Sequence, residues 1–463
     1  MLPDDVLLVV IEFTLKEGWV GWDSEMAMWV TLVHVCQRWR SVVFGSPRRL
    51  NLRLVCKTKT SMDTLDVWPA FPLAIEGPVW EKRGLIALLE QSELVPRISQ
   101  IRLWNVYLED KEAMSVPLPE LTYLVLRHSG PKIPLSDSFL GGSAPRLQML
   151  YLESISFPGL PKLLSSATHI ASLHLLCIPD SGYISPEAMV TCLSVLTNLG
   201  LLSLEFESSR SHPNRESRRP PLSTRTVLPV LTDFSFKGHS EYLEDLVSSI
   251  DAPRLNRMFV KFYNYIVFDT PQFTRLICDI STFNAFHEAR VYFGYTLAII
   301  NLSSKASGDR ELNVEISSKE LRRQVSFLEQ VCTSSLSPLS TLEDLYIGEH
   351  PHSWPAWEDN IDNALWLELL HPFTMVKNLF VSEKIVPRVV PALQELVGGR
   401  TTEVLPTVQN VFIEKLQPSG HVWEGIGKFV AARQVTSHPI IVSHWDRDPS
   451  RRMPIRLGLF SGC

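Results

Sequence analysis

Leu147-Gln148-Met149-Leu150-Tyr151-Leu152 carries apolar side chains at its first, fourth and sixth positions. The same template returns along the chain from residue 98. Ile98/Ile101/Leu103, Leu121/Leu124/Leu126, Ile170/Leu173/Leu175 and Leu199/Leu202/Leu204 are clear copies. So are Leu231/Phe234/Phe236, Leu255/Met258/Val260, Leu342/Leu345/Ile347, Val376/Leu379/Val381 and Val408/Val411/Ile413. Phe286/Ala289/Val291 and Leu312/Val314 are weaker copies in the gap between residues 255 and 342. The last two apolar positions of each copy are two apart, so they point to one side of an extended strand.

Amphipathic stretches lie between the copies: Leu160 to Ala167, Pro186 to Leu196, Tyr242 to Ile250, Lys319 to Val331 and Val389 to Val397 read as helices. Strand followed by helix, repeated, predicts parallel strands. Spacing between starts runs from 23 residues (Ile98 to Leu121) to 34 (Leu342 to Val376). About twelve units in one direction favour a repeat array. The changing unit length leaves a doubly wound α/β domain as the alternative.

Over residues 98 to roughly 416 the pattern resembles leucine-rich repeats of the irregular intracellular kind, whose units span roughly 20–29 residues. The resemblance implies an α/β solenoid with parallel strands on a concave face and helices outside. The Asn or Cys such repeats carry three positions after the last apolar residue is replaced by Val106, Ser129, Ile155, Ile178 and Glu207 in the first five units. In such an array the residues alternating with the buried strand positions face the concave side. They are Arg102, Trp104, Arg127, Tyr151, Glu153, His174, Glu205, Lys237, Phe259, Lys261, Arg290, Tyr292, Tyr346, Phe380 and Glu414. Aromatic and arginine side chains favour interface hot spots, so this row is the candidate surface for a protein substrate.

The first 54 residues have a different character. Leu2-Pro3-Asp4-Asp5 places proline and two acids where a first helical turn accepts them. Val6 to Ile11 is apolar throughout, so this helix must be covered on more than one side. Leu32, Val35, Cys36, Trp39 and Val43 then recur at helical spacing, opposite Gln37, Arg38 and Arg40. So small a unit buries too little surface on its own. Its excess apolar area calls either for a partner or for packing on the repeats.

Leu2-Pro3 followed by Val35-Cys36-Gln37-Arg38-Trp39-Arg40 resembles the F-box, a three-helix module that docks on the Skp adaptor of cullin-RING ubiquitin ligases. The stretch from Phe13 to Val35 is longer than usual, and Ser46-Pro47-Arg48-Arg49-Leu50 lacks a tryptophan many F-boxes carry. The resemblance implies that Leu2, Pro3, Val6, Leu7, Val10, Ile11, Val35, Cys36, Trp39 and Val43 form or support the Skp contact. It implies a non-catalytic, substrate-recognition subunit of an SCF-type ligase. A leucine-rich-repeat scaffold outside ubiquitination is the alternative. Ser46 to Leu50, Leu65-Asp66-Val67-Trp68-Pro69 and Ser443-His444-Trp445-Asp446 extend a resemblance to F-box-like proteins of mushroom-forming fungi. The domain reading is 1–54 F-box-like, 55–97 connector and cap, 98–435 repeats, and 436–463 a C-terminal strand and tail.

Composition bounds the remaining classes. The chain has 463 residues, 45% hydrophobic and 20% charged, the profile of a folded protein. Its net charge of −6 offers no general attraction to nucleic acid or anionic lipid. No run approaches the roughly 20 apolar residues that span a bilayer. Seven scattered cysteines without a C-x-x-C pair fit reduced thiols in a cytoplasmic or nuclear protein, and Asn301-Leu302-Ser303 is expected to be a silent sequon. Hydrolase, P-loop, zincin and kinase motifs are missing, and Gly425-Ile426-Gly427 lacks the third glycine of a dinucleotide site. Glu349, His350 and His352 lack a second ligand pair, so neither metal nor cofactor is expected. Cys192 and Cys332 fall on apolar helix faces. Ser208 to Thr226, with Arg215, Arg218 and Arg219, reads as a solvated insertion, and His350 to Trp357 as a second long loop.

Overall fold

The computed structural model describes residues 2–17, 31–46, 49–50, 52–57, 70–78, 89–105, 113–128, 130, 134–207, 225–263, 270–304, 310–334, 336, 339, 341–350, 361–396, 400, 402–415 and 421–445. They divide into two compact units, Met1–Tyr183 and Ile184–Cys463. Most of the Ser208 to Thr226 insertion, nearly all of the His350 to Trp357 loop, Leu65 to Pro69 and the tail from Asp446 lie outside the described residues.

The first unit opens with helices α1 (Asp4–Glu17) and α2 (Gln37–Gly45), with residues 31–33 also helical. Strands β1 (Leu54–Lys57), β2 (Leu73–Pro78), β3 (Ile98–Trp104), β4 (Tyr123–Arg127), β5 (Met149–Glu153) and β6 (Ser172–Ile178) follow, each parallel to the next. Template residues fall in register: Ile101, Leu124, Leu150 and Leu173 align across four strands and are completely buried. The sheet thus starts two strands before the first template copy. Single 3₁₀ turns at Ala113–Ser115 and Phe139–Gly142 make the early returns, and α3 (Leu160–Ser166) makes a later one.

The second unit continues the alternation with helix α4 (Pro186–Leu193) and strands β7 (Leu201–Phe206), β8 (Thr226–Val227) and β9 (Asp233–Gly238). Next come α5 (Ser240–Ser248), β10 (Ile250–Asp251), β11 (Arg257–Phe262), α6 (Pro271–Asp279), β12 (Glu288–Phe293), β13 (Leu297–Ser303) and β14 (Glu311–Ser317). It ends with α7 (Leu321–Ser334), β15 (Asp344–Glu349), α8 (Asn363–Leu370), β16 (Asn378–Val381), α9 (Val386–Gln394), β17 (Asn410–Glu414), α10 (His421–Val435) and β18 (Ile441–Trp445). Prolines occupy the first turn of α3, α4, α6 and α9, where a missing N–H removes no helical hydrogen bond. The Glu244 carboxylate on α5 accepts the Gln272 and Phe273 N–H groups at 2.9 and 2.8 Å and so caps α6. Strand alternation with mostly parallel pairing makes this an α/β, leucine-rich-repeat-like array.

One expectation is corrected. The weak copies at Phe286/Ala289/Val291 and Leu312/Val314 are strands, but they do not follow one another across the sheet. β14 pairs with β11 and β12 pairs with β15, while β13 lies between β12 and β14, antiparallel to both. The physical cause is a hairpin: Gly294 N–H donates to Leu297 O at 2.7 Å, reversing the chain too tightly for a helical return. Leu297–Ser303 is buried over both faces and shows no alternation, so it leaves no repeat signature. Asn301 of the sequon is 5% exposed and donates to Glu311 in this hairpin sheet, so it is shielded from glycosylation.

Side-chain hydroxyls bridge neighbouring strands at their entries. Ser99 Oγ donates to Leu73 O at 3.1 Å and Thr122 Oγ1 to Ser99 O at 3.0 Å, stitching successive strand entries. Thr232 to Gly200 O and Thr407 to Val376 O repeat the contact in the second unit, at 3.2 and 3.0 Å. At strand exits, Asn105, Ser154 and Lys415 take positive φ near 50–60°, two positions after the last template residue, which turns the chain sharply out of the sheet. Cys192 and Cys332 are buried free thiols as their helix faces imply.

Gly425-Ile426-Gly427 also gains a packing explanation. A Cβ on Gly425 would lie 1.8 Å from Gln394 Nε2 and 2.6 Å from Val390 Cγ1, whereas one on Gly427 would meet nothing within 4 Å. Gly425 therefore lets α10 approach α9. Replacing Gly425 by Ala should destabilise by about 1–3 kcal/mol through overpacking, while Gly427→Ala should be neutral or stabilise by up to about 1 kcal/mol. Leu150→Ala should cost about 2–5 kcal/mol. Urea unfolding of the three variants checks this order.

Candidate functional site

At about 100° per residue, Val6, Val9, Val10 and Phe13 share one stripe of α1, with Leu2 just before the helix, and Leu7, Leu8 and Ile11 share another. The first stripe is 43–61% exposed and Ile11 is completely buried. Val43 on α2 is likewise fully enclosed, and Phe44 meets Phe71 with ring centroids 5.5 Å apart, tying the helices to the start of the sheet. Arg38 locks the arrangement by donating to Asp4 Oδ1 at 2.6 Å and to the Leu2 carbonyl. The chain itself thus covers one stripe of α1, and the other stripe is exposed.

The ten residues assigned to this surface divide accordingly. Leu2, Val6, Val10 and Val35 are exposed, as are Pro3 and Cys36, while Trp39 is half-buried. Leu7, Ile11 and Val43 lie inside and hold the helices together. Val9 and Phe13 belong to the exposed stripe but were not assigned; their spacing of three and seven from Val6 is the signal that places them there.

A second candidate surface is the sheet face opposite the template residues. In the first unit, register aligns Val125, Tyr151 and His174 on one row and Arg127 with Glu153 on the next. Tyr151 Oη donates to Glu153 Oε2 at 2.8 Å, and the Arg127 guanidinium pairs with the same oxygen at 3.3 Å while covering the Tyr151 ring at 4.8 Å. Burial, together with the carboxylate beside its hydroxyl, pushes the Tyr151 phenol up. His174 is 4% exposed; its Nε2 meets Ser172 Oγ at 3.0 Å and its Nδ1 has no partner among the described residues. Burial lowers its pKa to about 4, so the ring is neutral at neutral pH. Trp104 is half-buried at the end of β3.

In the second unit most cations of this face are matched within the sheet. Asp233 pairs with Arg257 at 2.5 Å and Glu315 with Lys261 at 2.5 Å, while Lys237 pairs with Glu205 and Arg290 with Glu288. Phe259 lies between Ser235 and Asn313, and Tyr292 is buried beside Ile299. Tyr346 and Phe380 stack in adjacent strands at 4.2 Å. Phe412 and Trp445 join them and were missed. Phe412 alternates with Val411 and Ile413, so the strand rule alone locates it; Trp445 sits on a strand without a full template copy.

No family model matches the chain, and no curated protein does. Among solved structures it is similar to the leucine-rich repeat-containing protein LegL7 from Legionella pneumophila, at 12% identity and a TM-score of 0.28, over 73% of this chain and 98% of that one. Repeat character is therefore carried by the strand register of the chain itself. Among the described residues no helix is long and apolar enough to cross a membrane.

His174 makes stability pH-dependent. Its folded pKa of about 4 lies below the unfolded value near 6.5, so the unfolded chain takes up the proton first. Its contribution is complete above about pH 6.5 and is lost as pH falls toward 4, by at most about 3 kcal/mol. Denaturant midpoints of wild type and His174→Gln across this window should converge as pH falls. Lys237→Met should destabilise by about 3–5 kcal/mol, because Glu205 loses its cation inside the protein.

Proposed function

We propose that the chain is a protein-recognition subunit of an SCF-type ubiquitin ligase, with its N-terminal helices docking on a Skp-type adaptor and the sheet face holding a protein substrate. The observation that carries this reading is the exposed apolar stripe of α1, Val6, Val9, Val10 and Phe13, with Leu2 exposed just before it. It adjoins a face that the chain already covers. Contiguous exposed apolar surface on a folded protein marks an interaction site. A helix that is apolar on two sides and enclosed on one is suited to lie between its own domain and another protein. Val35, 57% exposed at the start of the second half of the motif, adds to the apolar area.

The adaptor role is one of proximity. Tethering a captured substrate beside the ubiquitin-carrying enzyme raises its effective concentration, so the subunit itself supplies no reacting group. Matched charges across the open face suit specific, pre-organised recognition better than general electrostatic attraction. A cytoplasmic or nuclear setting accompanies this proposal.

Binding of a purified Skp-type adaptor to the full chain tests the docking surface. Val10→Asp combined with Phe13→Asp alters only exposed side chains, so thermal unfolding should match wild type while adaptor affinity falls more than tenfold. Ile11→Asp is unsuitable, since Ile11 is enclosed and its loss unfolds the helices. Undiminished adaptor binding by the folded double variant sinks the docking assignment, and absence of adaptor binding by wild type leaves a repeat scaffold outside ubiquitination.

A further inference from the structure

The register of β12 and of β15 through β18 places Arg290, Tyr346, Phe380, Phe412 and Ser443 on one line across neighbouring strands. Strand spacing of about 4.8 Å lets the rings stack directly. Tyr346 and Phe380 lie 4.2 Å apart at 8°, and Phe380 and Phe412 4.5 Å apart at 10°. At the Tyr346 end the chain closes the stack itself. The Arg290 guanidinium sits 5.2 Å from the ring centroid and pairs with Glu288, two residues away on the same strand.

The Phe412 end is built from the same parts with one missing. Its next position is Ser443, too small to cover a ring. Glu414, two residues beyond Phe412, shares its face. Among the described residues the Glu414 carboxylate accepts one bond, a long 3.4 Å contact from the Glu383 N–H, and the adjacent Lys415 pairs instead with Glu383 at 3.3 Å. Among the described residues Glu414 has no ion pair. Trp445, directly across from Glu414, lies 5.4 Å from Phe380 and 5.8 Å from Tyr346 and walls the ladder along its side.

We propose that this end of the ladder binds an arginine of an extended protein segment, with the guanidinium on Phe412 above Ser443 and paired with Glu414. The proposal rests on reading this sheet face as a protein-binding surface. Arginine answers both open requirements, a flat cation for the ring and a fork of donors for the carboxylate. A lysine ammonium is a compact charge that cannot stack, and an aromatic side chain would cover the ring but bury Glu414 unpaired. β18 is the terminal described strand of its sheet. A segment laid along its outer edge presents alternate side chains to this face.

Selection of a phage-displayed random peptide library on the full chain tests this. Enriched peptides should share one arginine, and the synthetic peptide should lose at least tenfold in affinity on Arg-to-Lys exchange. Phe412→Ala, Glu414→Gln and Ser443→Trp, the last filling the open position, should each reduce binding at least tenfold. Glu414→Gln and Ser443→Trp remove no packed side chain and stand as the test should Phe412→Ala fail to fold. Peptides without arginine that still lose binding in Ser443→Trp overturn the arginine assignment while keeping this face as a binding surface. Selected peptides indifferent to all three variants, or no enrichment at all, overturn both.

Discussion

Leu150 is covered on its flanks by Leu124 and Leu173 of the adjoining strands, and it is their contact that excludes water from it. No strand with its own return could enclose such a residue. Each unit of the array is therefore stable only through its neighbours, the nearest-neighbour dependence of repeat proteins. Other features serve this constraint. Serine and threonine stitches hold successive strand entries at constant register. Positive-φ residues at the exits clear the chain from the sheet before it returns. Gly425 permits two returning helices to close above the last strands.

The same constraint separates buried surface from usable surface. The template side of the repeat strands is spent on the core, so the surface left open lies at the alternate positions and at the ends. On the alternate face, charges are mostly matched by partners in adjacent strands, Asp233 with Arg257 and Lys261 with Glu315. Aromatic residues of the last strands stack at the spacing the sheet imposes. At the N-terminal end, α1 satisfies its own domain with Leu7 and Ile11 and presents Val6, Val10 and Phe13 outward. A helix apolar around most of its circumference is thereby consistent with a folded monomer that still has a face to offer.

The strands and most of the later helices were legible in sequence because their signals are local. Spacing of two in Leu124/Leu126 specifies a strand, and Pro186 to Leu196 brackets the observed α4 within a few residues. The concave-face candidates were found by alternation alone, and register then divided them. Arg127, Tyr151, Glu153 and His174 are brought together, whereas Phe259, Lys261 and Tyr292 are absorbed into separate contacts.

What the residues could not disclose was the order of strands around the hairpin at Gly294. Pairing is a non-local choice, and Leu312 competes as well for the edge of β11 as Ala289 does until the whole hairpin is placed. Nor could they divide α1 between covered and free stripes, since Val6 and Leu7 are equally apolar and differ only in what stands opposite. Periodicity and residue type thus dictate which segments are strands and helices and which side of each is oily, because those follow from backbone geometry within a few residues. Partnering across the sheet, and the choice of which apolar or aromatic surface stays uncovered, arise only when distant segments compete for the same burial.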